Sequence, residues 1–315
     1  MKRQEKFRWR NFNLSEKIIV TKEKYELPFS RGILAQSLTR AGLDQLMAYD
    51  IAEDIKKELI MQNIFKVRCN DLRNIILEKL EKIDKKIAEQ YTFLEVTGKG
   101  DKPTIILISG SSGTGTSTVA ANVAQRMGIR NVIGTDIIRE VLRKIISSEL
   151  APTLHKSSFN AWEVLRTPLP TYYSRVLFGF REQVEYVVVG IEAVIDRALK
   201  EGVSIVIEGI HIVPGFIKMS YLQEKNIFMF MLKLKDTELH RSRYYVREEE
   251  TQKRRPAEHY LKHFYEIREI HDFLVEEASK YNILCIDNIY VEQTTDIIIE
   301  RVISETIDKV KKPID

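Results

Sequence analysis

The sequence predicts an α/β protein, with a parallel five-stranded sheet and helices on both of its faces, preceded by a small α-rich module. Three observations lead there. Apolar runs at residues 103–109, 131–135, 203–208, 227–234 and 282–286 have the length and β-branched content of buried strands. The segments between them are long enough to be helical crossovers, which is how parallel strands are joined. Residues 110–118 then read Gly-Ser-Ser-Gly-Thr-Gly-Thr-Ser-Thr, a glycine-rich turn between the first run and a helical stretch.

The first hundred residues have a different texture. Residues 17–21 read as a strand, and residues 22–26 as a turn entering a second short strand. Ser30 is placed to cap a helix through Ile33, Leu34 and Leu38, ending at Gly42. Residues 43–61 repeat apolar side chains at helical spacing, and residues 70–86 carry Leu72, Ile75, Ile76, Leu80 and Ile83 on one side. Gly98 to Pro103 is the expected linker, dividing the chain into a module at 1–97 and a larger domain at 103–315.

Composition narrows the function classes. The chain has 315 residues, 44% apolar and 30% charged, with a formal net charge of +4, too small a surplus to argue for nucleic acid. Lys2, Arg3, Lys6, Arg8 and Arg10 form a basic start that reads more simply as a solvated terminus than as a phosphate-seeking arm. Cys69 and Cys285 are the only cysteines and have no paired spacing, which fits a reducing cytoplasm and argues against disulfides or zinc. No apolar run reaches membrane-spanning length, so no membrane partner is expected. Abundant Lys, Glu and Ile hint at a thermophilic source. A homo-oligomer is compatible with the N-terminal helices.

Gly110, Ser111, Ser112, Gly113, Thr114, Gly115, Thr116, Ser117 and Thr118 match a phosphate-binding loop, G-x-x-x-x-G-K-[ST], except that threonine replaces the lysine at 116. Strand, loop and helix N-terminus together aim backbone N–H groups at one spot, which suits the phosphates of ATP. The core expected is therefore that of a P-loop kinase, with strand order 2-3-1-4-5. Without the lysine that normally reaches the β- and γ-phosphates, a non-hydrolysing loop is the rival reading.

Ligands of open parallel sheets sit beyond the carboxyl ends of the strands. There Asp136 can orient or deprotonate an acceptor hydroxyl, and Arg139 can hold an anionic group; an N-capping Asp and a surface Arg would look alike. Glu208, after five apolar or small residues, suits a Walker-B acid that holds Mg²⁺ through water or polarises the nucleophile, with Ser117 the direct Mg²⁺ ligand; a glutamate capping the following turn would look alike. His211 reads equally as a site residue or a satisfied structural histidine. The arginine-rich stretch from 239 to 255 suggests a mobile lid at about 237–258, closing over the phosphates and supplying the missing positive charge. Its candidates are Arg247, Arg254 and Arg255, although a solvated helix face paired with Glu248 to Glu250 has the same composition. His155 and Lys156, in an insertion after Pro152, are candidates for the acceptor region, and Lys156 is a second candidate for the lost cation.

Four stretches, Ser109-Gly-Ser-Ser-Gly-Thr-Gly-Thr-Ser-Thr118, Thr135-Asp-Ile-Ile-Arg-Glu-Val-Leu-Arg143, Ile207-Glu-Gly-Ile-His211 and Tyr260-Leu-Lys-His-Phe-Tyr-Glu-Ile-Arg268, resemble the 2-phosphoglycerate kinases of thermophilic methanogenic archaea. The family's loop also lacks the lysine, so Thr116 is no departure from it. The resemblance implies ATP-dependent phosphorylation of 2-phosphoglycerate at its 3-hydroxyl, giving 2,3-bisphosphoglycerate for synthesis of cyclic 2,3-diphosphoglycerate, a thermoprotective solute. Arg139, Arg143, Lys156 and the lid arginines would then meet an acceptor carrying phosphate and carboxylate. Another small hydroxyl acceptor, or an ATP sensor that transfers nothing, remains an alternative. Ile19-Val-Thr-Lys22 and Pro28 to Leu43 with the following helices separately resemble an ATP-cone, a regulatory nucleotide-binding module. The usual basic–Asp–Gly turn is replaced by Glu23-Lys24-Tyr25, which leaves ATP sensing and a scaffold or dimerisation role both open.

Overall fold

The computed structural model describes residues 18–22, 25–97, 103–166, 168 and 170–311. The basic residues from Lys2 to Arg10, the Glu23-Lys24 turn and linker residues 98–102 lie outside these. The chain divides into two compact units, Met1–Thr92 and Phe93–Asp315.

The first unit holds β1 (Ile19–Lys22), β2 (Tyr25–Pro28), α1 (Arg31–Arg40), α2 (Gln45–Met61), β3 (Lys66–Arg68), α3 (Cys69–Ile83) and most of α4 (Lys85–Thr97). Its sheet has the order β2-β1-β3, with β1 antiparallel to β2 and parallel to β3. The Ser30 hydroxyl caps α1 by accepting from the Ile33 N–H at 3.3 Å, and Asp44 caps α2 in the same way through Leu46 N–H at 2.9 Å. Leu38, Ile55, Leu59, Ile76 and Leu80 are buried, as their helical spacing requires. The helix expected over 70–86 is two helices. Asp84 is extended and its carboxylate accepts from the Lys86 N–H at 2.7 Å, ending α3 and starting α4.

The second unit contains β4 (Ile105–Gly110), α5 (Thr116–Arg126), β5 (Asn131–Gly134) and α6 (Thr135–Ile145), then two 3₁₀ turns (Pro152–His155 and Ala161–Val164) and α7 (Arg175–Glu201). It continues with β6 (Ile205–Gly209), α8 (Met219–Gln223), β7 (Ile227–Lys233), α9 (Thr237–Glu250), α10 (Ala257–Lys262), α11 (Phe264–Lys280), β8 (Leu284–Asp287) and α12 (Val291–Lys311). The sheet is all parallel in the order β5-β6-β4-β7-β8. Counted from β4 this is 2-3-1-4-5, the expected order.

Every residue of β4 is buried, because both faces of the sheet are covered. Ile106 and Ile108 pack with Val119, Val123, Ile298 and Val302 of α5 and α12, joined by Phe93. Ile105 and Leu107 point the other way, into a core with Ile138, Val187, Ile191 and Ile195 of α6 and α7. The two-residue alternation of a strand is thus present inside a continuous apolar run. Parallel register sets Ile108 beside Glu208, and Gly134 beside Glu208 on its other flank, so β4, β5 and β6 end at one level. Among the described residues, no helix is long and apolar enough to cross a membrane.

Candidate active site

The loop after β4 turns sharply into α5. Gly113 and Gly115 have φ of +85° and +88°, the left-handed region that glycine enters without a steric cost. Thr114 closes the turn, its hydroxyl donating to the Ser111 carbonyl at 2.8 Å. The first N–H groups of α5 have no carbonyl partner in their own helix, and the helix dipole adds partial positive charge at the same end.

At residue 116, where lysine is usual, the threonine hydroxyl donates to Glu208 Oε2 at 2.6 Å. The neighbouring Ser117 hydroxyl donates to Glu208 Oε1 at 3.0 Å. Both carboxylate oxygens of Glu208 are therefore fixed by consecutive residues of the loop. Burial raises the Glu208 pKa, the two hydroxyls work against that rise, nearby Asp136 adds to it and Arg247 opposes it. The structure thus brings Thr116, Ser117 and Glu208 into contact, with Asp136 and Arg247 within electrostatic reach.

Asp136 lies in the first turn of α6, with its side chain 66% exposed, and Arg139 Nε is 3.7 Å from its carboxylate. Arg139 also donates to the Lys156 carbonyl, so it connects α6 to the segment after the first 3₁₀ turn. The other expected site residues are engaged with neighbours of their own. Arg143 pairs with Glu140 at 2.9 Å, Lys156 with Glu163 at 3.1 Å, and His155 Nε2 meets the Ile146 carbonyl at 3.0 Å.

The expected lid has two parts. The inner face of α9 is packed, with His240 and Tyr244 fully buried, and the following turn leaves Arg254 and Arg255 exposed. Arg247, on the packed face, reaches the Ser112 hydroxyl at 3.5 Å and lies over the Tyr260 ring at 5.4 Å. His240 Nε2 and the Tyr244 hydroxyl both donate to the Ser112 carbonyl at 2.7 Å. Arg243 and the Asn288 amide donate to the Thr114 carbonyl at 3.0 and 2.7 Å. Arg243 is also bound to the Asn288 and Ile289 carbonyls, and burial lowers its pKa.

His211 is a satisfied buried histidine. Nδ1 meets the Thr135 hydroxyl at 3.0 Å, Nε2 donates to Gln183 Oε1 at 3.0 Å, and the Gln183 amide donates to the Lys156 carbonyl at 2.9 Å. Burial lowers its pKa to about 4, so the ring is neutral. The network ties the start of α6, which carries Asp136, to the segment carrying Lys156. Sequence reasoning passed over His240, Arg243, Tyr244, Asn288, Thr135 and Gln183 as individual site residues. The one available signal was the spacing of 240, 243, 244 and 247, which sets four polar or aromatic side chains on one helical face.

A glycine-rich loop between β4 and α5, an acid on the adjacent strand and a five-stranded parallel sheet define an α/β protein of the P-loop type. No protein-family model matches the chain. A 2-phosphoglycerate kinase of Methanopyrus kandleri is 46% identical over 291 residues, covering 92% of this chain and 88% of that protein. Those of Methanothermobacter thermautotrophicus (45% identical, 91% and 94% covered) and Pyrococcus furiosus (44%, 94% and 96%) are similar over almost their whole length. The chain belongs to the 2-phosphoglycerate kinase family.

Proposed function

We propose that this protein transfers the γ-phosphoryl group of ATP to the 3-hydroxyl of 2-phosphoglycerate, giving 2,3-bisphosphoglycerate and ADP. The product would feed cyclic 2,3-diphosphoglycerate synthesis. The observation that carries the reading is the meeting of Glu208 with Thr116 and Ser117 at the mouth of the loop, in a chain whose relatives are named for a kinase acting on this acceptor. It joins a phosphate cradle to an anchored carboxylate, as phosphoryl transfer requires.

In this reading the backbone from Gly110 to Thr118 holds the ATP phosphates. The Ser117 hydroxyl and the Glu208 carboxylate are hard oxygen donors, the type Mg²⁺ takes. An ion held there would take waters and substrate phosphates as its remaining ligands. Bound there, Mg²⁺ would neutralise charge on the phosphates. Asp136 accepts the 3-hydroxyl proton as the oxygen attacks the γ-phosphorus and the bond to the bridging oxygen of ADP breaks. Arg139, Arg143, His155 and Lys156 receive the acceptor's phosphate and carboxylate. The Arg143–Glu140 and Lys156–Glu163 pairs are partly exposed ion pairs, worth about 0–1 kcal/mol each, so an incoming dianion displaces them at little cost. Arg247, Arg254 and Arg255 stabilise the charge in transfer, with Arg247 supplying the cation that Thr116 does not. The ATP-cone-like first unit acts as a nucleotide-responsive or oligomerising attachment.

Product identification by phosphorus NMR tests this. The protein is incubated with Mg-ATP and 2-phosphoglycerate, with 3-phosphoglycerate in parallel. Formation of 2,3-bisphosphoglycerate from 2-phosphoglycerate alone, with no partner protein, is expected. Transfer to neither acceptor, with ATP binding intact, would move the assignment to another hydroxyl acceptor or to an ATP sensor.

A further inference from the structure

The loop lacks its lysine yet is held from behind by four side chains. Two of its carbonyls, Ser112 and Thr114, each receive two donors from elements more than a hundred residues away. All but Asn288 lie on one face of α9. Asn288 itself is fully buried, at the end of β8. The donors press so closely that a Cβ on Gly113 would come within 2.8 Å of His240 Nε2 and of the Tyr244 hydroxyl. One on Gly115 would come within 2.8 Å of Asn288 Nδ2 and 3.1 Å of Arg243 Nη1.

A peptide group is planar and trans, so a carbonyl and the N–H of the next residue point in opposite directions. Holding the Ser112 carbonyl against α9 aims the Gly113 N–H away from it, and holding the Thr114 carbonyl aims the Gly115 N–H likewise. We propose that His240 and Tyr244, with Arg243 and Asn288, are positioning residues for the nucleotide phosphates. They fix the direction of the loop amides and so replace by shape part of the grip that a lysine at 116 would supply by charge. The proposal rests on reading the loop as the ATP site.

The His240 ring is set for this task by its other nitrogen. Arg268 Nη1 lies 3.3 Å from Nδ1 and also donates to the Leu234 carbonyl at 2.6 Å. With Nδ1 accepting from Arg268, the ring proton is on Nε2, facing Ser112. His271 repeats the logic one layer behind, its Nδ1 donating to Asp272 at 2.7 Å while Nε2 accepts from the Leu234 N–H at 3.1 Å. The loop's shape is therefore fixed through Leu234, just after β7, and α11 as well as α9.

The test combines ATP dissociation constants, measured by calorimetry without acceptor, with two-substrate kinetics of the full chain. Tyr244→Phe removes one donor and keeps the ring. We expect a roughly 3- to 10-fold weaker ATP Kd, the size of one hydrogen bond, with the acceptor KM changed less than about 2-fold and the melting temperature lowered by only about 2–4 °C. His240→Leu in the same background should weaken ATP by a further factor of similar size, and His240→Gln, which keeps an N–H donor, should recover most of it. Unaltered ATP affinity in Tyr244→Phe, or equal shifts in the ATP and acceptor KM values, would overturn the proposal. If the wild-type chain itself does not bind ATP, the reading of the loop fails, a result distinct from failure of the clamp alone.

Discussion

Thr116 is the residue on which the site turns. A lysine there would extend toward the phosphates, whereas the threonine hydroxyl points sideways to Glu208. Thr116→Val keeps the shape and removes the hydrogen bond, leaving one Glu208 oxygen free to swing. A fall in kcat of about 10-fold, with ATP Kd within about 3-fold, is expected in steady-state and binding assays. Glu208→Gln leaves the loop backbone intact but removes the carboxylate, and a loss of about 10- to 100-fold in kcat is expected, as for groups that orient a metal site. Activity near wild type in both variants would remove Glu208 from the centre of the site. The glycine-rich loop and the strand-end positions of Asp136 and Glu208 were legible because motif spacing and strand ends are local signals. His240 and Asn288 were not, because histidine and asparagine are ordinary in their own segments and acquire meaning only across the 128 and 174 residues that separate them from the loop.

The β4–loop–α5 unit depends on a backbone conformation open to few residues. Gly115 is left-handed with Asn288 and Arg243 pressed against it, whereas Gly128, at the end of α5, is left-handed with nothing within 4 Å of an added Cβ. Gly128→Ala should cost only the backbone penalty, about 1–2 kcal/mol in chemical denaturation. Gly115→Ala should cost more and weaken ATP binding too, because the neighbouring donors must move. Equal costs with unchanged ATP affinity would show that close packing at Gly115 has no part in binding. Other elements show where local signals fail. β3 is three residues long and exists through pairing with β1, a contact between segments far apart in sequence. The break between α3 and α4 rests on one aspartate that binds the next helix's backbone better than it continues its own. The length of a helix-period run does not reveal such a break.

Taken as a whole, the second unit buries neutral imidazoles where its elements converge. His211 and His240 both have pKa values lowered to about 4, first by burial, and His271 is lowered for the same reason. A group that titrates lower when folded takes up protons preferentially on unfolding. Its contribution is present above the ordinary histidine value of 6.5 and is lost as pH falls toward 4. For His211 and His240 the depression represents on the order of 3 kcal/mol each at the acid end. Glu208, raised by burial, acts in the opposite sense and offsets part of this. Denaturation midpoints should therefore drop steeply between about pH 6.5 and pH 4, and His240→Gln should flatten the slope. A midpoint independent of pH across that range would contradict neutral, buried rings.

The five strands, their crossovers and the glycine-rich loop could be read from the chain, because burial on two faces, glycine at left-handed positions and helix capping leave marks within a few residues; the family came from the resemblance of four stretches to its members. The order 2-3-1-4-5 belonged to the expected P-loop kinase core, since right-handed connections alone are compatible with several orders. Three matters were decided by the folded molecule. It turned the hydroxyls of Thr116 and Ser117 onto Glu208, held α9 against the loop with buried donors, and left Arg254 and Arg255 on an exposed turn. Each depends on where side chains distant in sequence meet, and hydrogen-bond direction and burial exist only once the sheet has brought them together.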